Sequence, residues 1–250
     1  ISGQWHKMWM PWHFNAGLTY GDRAPSVTEG YGFYLFNSFD NHDYIGDPGL
    51  ANEKSMEANT KISWEKSKFK LSAEANFFHI ADYIIGEIDP SLSVMTIGAE
   101  GIKIYKNLEY AQLFNTSLDM EYTILPELKW SGLISYHRGT DNNGGNIPFI
   151  SPFSYRSGLQ FDNRSFSAAL RITGAGKQMN YNPEFGEDQT QAYTVCSLTF
   201  GKTFKFNNDS MYAKFGVENI FDEYYSTYTD WKNIPRMGRN FFLTLSYSIN

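Results

Sequence analysis

Apolar and polar residues alternate singly along most of the chain, as they do in a strand with only one face against an apolar medium. In the last segment Phe241, Leu243, Leu245, Tyr247 and Ile249 share one face, and Phe242, Thr244, Ser246 and Ser248 share the other. Met56, Ala58, Thr60, Ile62 and Trp64 alternate in the same way with Glu57, Asn59, Lys61, Ser63 and Glu65. Leu118, Met120 and Tyr122 alternate with Ser117, Asp119 and Glu121, and Leu128, Trp130, Ile134 and Tyr136 with Lys129, Ser131 and Ser135. The pattern predicts about ten strands, over residues 9–21, 54–65, 69–86, 99–124, 128–138, 153–162, 165–176, 190–205, 210–220 and 239–249.

The connections alternate too. Residues 66–68, 125–127, 163–164 and 206–209 read as tight turns, whereas 22–53, 87–98, 139–152, 177–189 and 221–238 are long. Short turns on one side and long loops on the other are the habit of a barrel assembled across one membrane. Trp9, Trp12, Trp64, Trp130, Phe153, Tyr155 and Phe161 fall near strand ends, as girdle residues do at lipid headgroups. The expected fold is therefore all-β, an antiparallel transmembrane β-barrel. A soluble sandwich also alternates, but its outward face should be charged. Here the polar face is Ser, Thr, Asn, Glu and Lys, and the apolar face is long enough to require lipid or a second sheet.

Composition agrees with hydrophobicity hidden in alternation. Mean hydropathy is -0.43, yet 17% of residues are aromatic. The sequence has no run of roughly 18 apolar residues, the length a membrane helix needs. The net charge of -6 argues against a nucleic-acid partner, which favours basic surfaces. The single cysteine, Cys196, provides no internal disulfide. No Gly-x-Ser-x-Gly elbow and no His-Glu-x-x-His metal motif occurs, so covalent catalysis has little support, and no cofactor is expected.

Two segments go beyond architecture. The first runs Asp22-Arg23-Ala24-Pro25-Ser26 and continues at Tyr44-Ile45-Gly46-Asp47-Pro48-Gly49-Leu50-Ala51-Asn52-Glu53. The second is Val217-Glu218-Asn219-Ile220-Phe221-Asp222-Glu223-Tyr224-Tyr225, followed by Pro235-Arg236-Met237-Gly238-Arg239 and the last strand. Together, and in this order, they resemble the TonB-dependent outer-membrane receptors. Asp47 stands where that family usually has Asn, and the chain ends on Asn250 where an aromatic residue is usual. Arg23, Pro25, Pro48, Glu53, Asn219, Phe221, Asp222 and Arg239 carry the resemblance and are expected to be structural. The prolines fix φ at strand ends, and Asn219 and Asp222 can bond nearby backbone.

The resemblance implies a barrel of about 22 strands filled by an N-terminal plug, which would make residues 1–250 a single C-terminal barrel portion without its plug. It implies active import of a scarce nutrient across the outer membrane of a Gram-negative bacterium, with the TonB complex engaging that plug. The expected cargo is a metal chelate, an iron–siderophore first and copper next. A standalone outer-membrane hydrolase and a passive porin-like barrel are the alternatives. Loop residues placed to touch cargo are His42, Asp43, Tyr44, Asn142, Met179, Tyr181, Tyr228 and Trp231. The run from Trp5 to His13 holds His6, Met8, Met10 and His13, soft-to-intermediate donors of the kind copper favours.

Overall fold

The computed structural model describes residues 1–163, 165–207 and 209–249, with the side chain of Trp231 outside that description. The turn positions Arg164 and Asn208 and the terminal Asn250, all read from the sequence, lie outside the described residues. Among the described residues, thirteen strands and one short α-helix follow in order, with two single 3-10 turns in the long loops. They are β1 (Ser2–Trp9), β2 (Trp12–Arg23), α1 (Val27–Tyr31), β3 (Leu35–Asn37), β4 (His42–Ile45), β5 (Glu53–Lys66) and β6 (Phe69–Ile88). Then come β7 (Gly101–Leu125), β8 (Leu128–Asp141), β9 (Ser154–Asn163), β10 (Phe166–Ala175), β11 (Tyr193–Phe206), β12 (Asp209–Glu218) and β13 (Asn240–Ser248).

Eleven of these form one antiparallel meander, β1-β2-β5-β6-β7-β8-β9-β10-β11-β12-β13. It is an open sheet, because its edges β1 and β13 do not pair with each other among the described residues. The ten expected strands are present with ends shifted by a few residues. The predicted 9–21 strand in fact begins at Trp12, because Trp9 and Trp12 close a tight hairpin around Met10 and Pro11 and residues 2–9 form a separate strand. The hairpin of β3 and β4, inside the first long loop, was also not expected.

Register converts the alternation into two faces, since residues directly opposite in neighbouring strands point the same way. One face carries Trp12, Trp64, Leu71 and Met120 across β2, β5, β6 and β7. The other carries His13, Ser63, Ser72 and Asp119 across the same strands. On the apolar face Phe241, Leu243 and Leu245 are each more than 60% exposed. An apolar surface of that extent needs lipid or a second sheet against it, and the described strands all belong to one sheet. The sheet therefore has a lipid side and a polar inner side.

The buried centre of the molecule lies at the loop end of the sheet. Tyr44, Ile84, Ile102, Ala111, Ile147 and Phe185 are its apolar members. The cause is the unequal length of the strands. The β8 ladder on β7 stops at the Ala111–Asp141 pair. Above it, β4 takes the vacant edge of β7 in parallel, pairing His42 with Gly101 and Ile45 with Ile104. This short hairpin supplies a shelf on which the loops at 142–153 and 176–192 collect.

Candidate functional site

The loop cap is built on Lys103. It lies about 20 residues above the tight turn ending β7, or ~70 Å of strand and about 50 Å of height once tilted. That clears a hydrocarbon layer of ~30 Å. The Lys103 and Asp40 side chains are almost wholly buried, and Lys103 Nζ donates to Asp40 Oδ2 at 2.6 Å. Tyr44 Oη donates to the same oxygen at 2.6 Å, and Lys103 Nζ lies 3.3 Å from Tyr44 Oη. Lys103 also donates to the Glu184 carbonyl and sits 3.8 Å from the centre of the Phe185 ring. One ammonium thus joins β7, the β3–β4 hairpin and the 176–192 loop. Burial pulls Lys103 below the ordinary lysine range, and Asp40 opposes that pull. Burial and the Asp40 carboxylate both push the Tyr44 phenol up.

Other buried polar groups fasten the same cap. His42 Nδ1 donates to the Asp40 carbonyl at 2.5 Å. Asp43 Oδ2 accepts the Met95 and Thr96 N–H groups at 3.1 and 3.0 Å, tying in the 89–100 loop. Burial pushes the Asp43 carboxyl up, but the bonds from Thr96 and Met95 outweigh it and hold the group below its ordinary value. Glu187 Oε1 accepts Phe149 N–H and Oε2 accepts Asn182 N–H, both at 2.8 Å, so it bridges the 142–153 and 176–192 loops. Burial raises the Glu187 carboxyl despite those two donors.

The motif residues form two brackets at the roots of the loops. In the first, Arg23 Nε donates to Glu53 at 2.7 Å while its other nitrogens meet both Glu29 oxygens at 2.8 and 3.0 Å. Ser26 caps α1 in a reciprocal capping box with Glu29. The Arg23 hydrogen bonds drive the Glu29 carboxyl down to about 2. Glu53 Oε1 accepts Ile84 N–H at 2.8 Å, so β2, β5 and β6 are pinned at one point. Pro25 precedes the cap, and Pro48 follows Asp47, whose N–H donates to Glu29 O at 2.9 Å.

In the second bracket, Asn219 at φ 50° exchanges two 2.8 Å bonds with Glu223 backbone. Asp222 Oδ1 accepts Arg239 N–H at 2.6 Å, and Arg239 Nε donates to Ile220 O at 2.8 Å. The start of β13 is thereby clamped to the end of β12. Phe221 projects outward, 75% exposed.

The residues expected to touch cargo divide into two groups. His42, Asp43 and Tyr44 are buried inside the cap, where their polar atoms hold loops together. Asn142 has a buried Oδ1 without a partner among the described residues. Met179 is exposed and accepts from Gln189 Nε2 at 3.5 Å, and the Tyr181 carbonyl accepts from Asn146 at 3.1 Å. Tyr228 is half-buried, and the side chain expected at Trp231 lies outside the described residues. Lys103 was not singled out from the sequence. Its signal is a charge held between Ile102 and Ile104 beyond the length needed to span a bilayer.

The soft-donor run forms the β1–β2 hairpin at the opposite, turn end. Register sets Met8 opposite His13 and His6 opposite Asn15. Those four residues share the inner face. Trp5, Trp9 and Trp12 take the outer one. No group of three or more His, Cys, Asp and Glu side chains able to hold a metal occurs among the described residues.

An antiparallel sheet with a lipid face, a polar inner face, tight turns at one end and a loop cap at the other is the wall of a transmembrane β-barrel. Residues 8–220 match the family model described as TonB dependent receptor-like, beta-barrel, and the chain belongs to that family. No curated protein matches the chain. Among solved structures it is similar to the copper transporter OprC, with TM-score 0.77 and 18% identity over 94% of this chain and 38% of that one. It is also similar to a G324V mutant of the ferric enterobactin receptor PfeA of Pseudomonas aeruginosa, with TM-score 0.72, 18% identity and 96% and 38% coverage. For the siderophore receptor PirA of Acinetobacter baumannii the values are 0.74, 15%, and 99% and 41%. The chain therefore spans about two fifths of the length of these structures.

Proposed function

We propose that residues 1–250 are the C-terminal wall and outward loops of an active importer in the outer membrane of a Gram-negative bacterium. Its cargo is a metal chelate. The observation that carries this is a family-matched barrel wall whose long loops gather, through Lys103, Asp43 and Glu187, into one ordered cap. Membership in a family of transporters argues for binding and passage rather than covalent chemistry. In this reading the apolar face meets outer-membrane lipid, the tight turns face the periplasm and the cap faces outward. A plug in another part of the protein engages the TonB complex, which energises passage.

The buried His42, Asp43 and Tyr44 frame the mouth. Met179, Tyr181, Tyr228 and Asn142, all in the long loops, offer the aromatic and amide groups a bulky chelate needs. A ferric siderophore is the first cargo, in keeping with siderophore receptors among the structural neighbours. Copper is the second reading, favoured by the inner face that joins His6, Met8 and His13.

The test is binding calorimetry on the full-length protein in detergent, with ferric siderophores, copper and zinc offered separately, alongside metal uptake by cells with and without a working TonB complex. TonB-dependent uptake of a ferric chelate or of copper is the expected result. Passive, TonB-independent uptake, or no binding of any metal species, would refute it.

A further inference from the structure

The β1–β2 hairpin places a thioether among nitrogen donors on a face that is otherwise hydroxyl, amide and charged. Met8 lies directly opposite His13, and His6 lies two residues along the same face. Opposed residues in an antiparallel pair have Cβ atoms about 5 Å apart, so three such side chains can meet at one ion. His6 and His13 line one recess of about 460 Å³ at the turn end of the inner face. Its lining is of mixed charge: Asp119, Glu121 and Glu65 stand there with Lys61 and Lys70, and Lys70 pairs with Glu65 at 3.0 Å.

The His6 ring is already oriented. Its Nδ1 lies 2.5 Å from Asn15 Oδ1. A carbonyl oxygen can only accept, so Nδ1 is the donor, and the neutral ring has Nε2 left to ligate a metal. Metal-ligating histidines are characteristically held this way, with the second nitrogen fixed by an outer partner. Met8 is more than half exposed, so its sulfur is accessible rather than used in packing.

We propose that His6, Met8 and His13 form a three-donor site for Cu(I) on the inner wall, with Asn15 as a positioning residue. A thioether with two imidazoles is a soft, neutral donor set that selects Cu(I) over Zn(II), Ca(II) or Fe(III). A site of neutral donors also holds a monovalent ion loosely enough to release it. Its position at the turn end makes it a station at the inner mouth of the lumen, where metal leaves the barrel. This deepens, and rests on, the reading of copper as a cargo.

The test titrates Cu(I) anaerobically against bicinchoninate, using the full-length protein in detergent. Wild type is compared with Met8→Leu, His13→Gln, His6→Gln and Asn15→Ala, and X-ray absorption reports the metal's neighbours. Met8→Leu and His13→Gln should each weaken one Cu(I) by at least about tenfold, with the sulfur scatterer lost in Met8→Leu. Asn15→Ala should weaken it less and leave the sulfur in place. Faster gel migration of unheated samples checks that each variant is a folded barrel. Equal Cu(I) retention and unchanged sulfur scattering in folded Met8→Leu and His13→Gln would overturn the site. Metal uptake by cells separates the two readings. Intact uptake with no wall copper would sink this site alone, whereas wall copper without TonB-dependent uptake of any metal would sink the importer reading alone.

Discussion

Replacing Lys103 by Met removes a buried cation from the cap and leaves Asp40 as an uncompensated buried carboxylate. The pair is 2.6 Å long between side chains 0% and 1% exposed. Breaking such a pair from one side costs about 3–5 kcal/mol, mostly as the penalty on the remaining charge. The same change deletes the bond to the Glu184 carbonyl and the approach to the Phe185 ring. The membrane-spanning ladders involve none of these atoms, so the cost falls on the cap alone. It should appear as local opening, not loss of the barrel. Hydrogen exchange followed by mass spectrometry reads this directly. Amides of 35–45 and 183–187 should exchange at least about a hundredfold faster, while those of β5 and the lower half of β7 stay unchanged. Adding Asp40→Asn should restore much of the protection, because a neutral amide costs less to bury than a lone carboxylate. Unchanged exchange in the cap of Lys103→Met would refute the argument that this ion pair holds the loops. A loss of protection spread evenly through the wall would refute its confinement to the cap.

Three further predictions test the brackets and the faces. Glu29 is held at about 2 against an ordinary 4.5, so its contribution is fully present above about pH 4.5 and is lost as pH falls through 2. Because Arg23 is half exposed, the effect is about 1–2 kcal/mol after screening; protection of α1, corrected for intrinsic exchange, should fall across that window in wild type but not in Arg23→Gln. Asn219→Ala removes both bonds to Glu223 and a residue suited to φ 50°, which should cost about 2–3 kcal/mol locally and raise exchange at 219–225. Leu243→Arg places a charge on the lipid face near mid-height and should cost about 2–4 kcal/mol in folding into lipid vesicles, whereas Thr244→Arg on the inner face should cost little; equal effects would reverse the assignment of faces.

The wall was legible because its side-chain period is two, and a barrel strand must repeat that period to span. The β1 strand was missed because Trp5, Met8 and Trp9 put apolar residues on both faces, and the Met10-Pro11 turn lacks the usual Asn-Gly signature. The β3–β4 hairpin was missed because each strand is short and its partner on β7 lies about 60 residues away. The brackets at Arg23 and Asn219 were legible as motifs, and their structural roles follow from the bonds they make. Lys103 was hidden for a different reason. A lysine in an alternating strand reads as a solvated charge, and only the hairpin that roofs it makes it a buried one. His42, Asp43 and Tyr44 read as exposed loop chemistry by the same omission.

The strands also differ greatly in length. β7 has 25 residues and β6 has 20, whereas β9 and β10 have 10 each. At about 3.3 Å per residue, the tall strands run ~65–80 Å and the short ones ~33 Å. This part of the rim is therefore a parapet at β6 and β7 and a doorstep at β9 and β10. With the loop end outward, as proposed, the loops carried by the parapet would stand farther from the membrane than those carried by the doorstep.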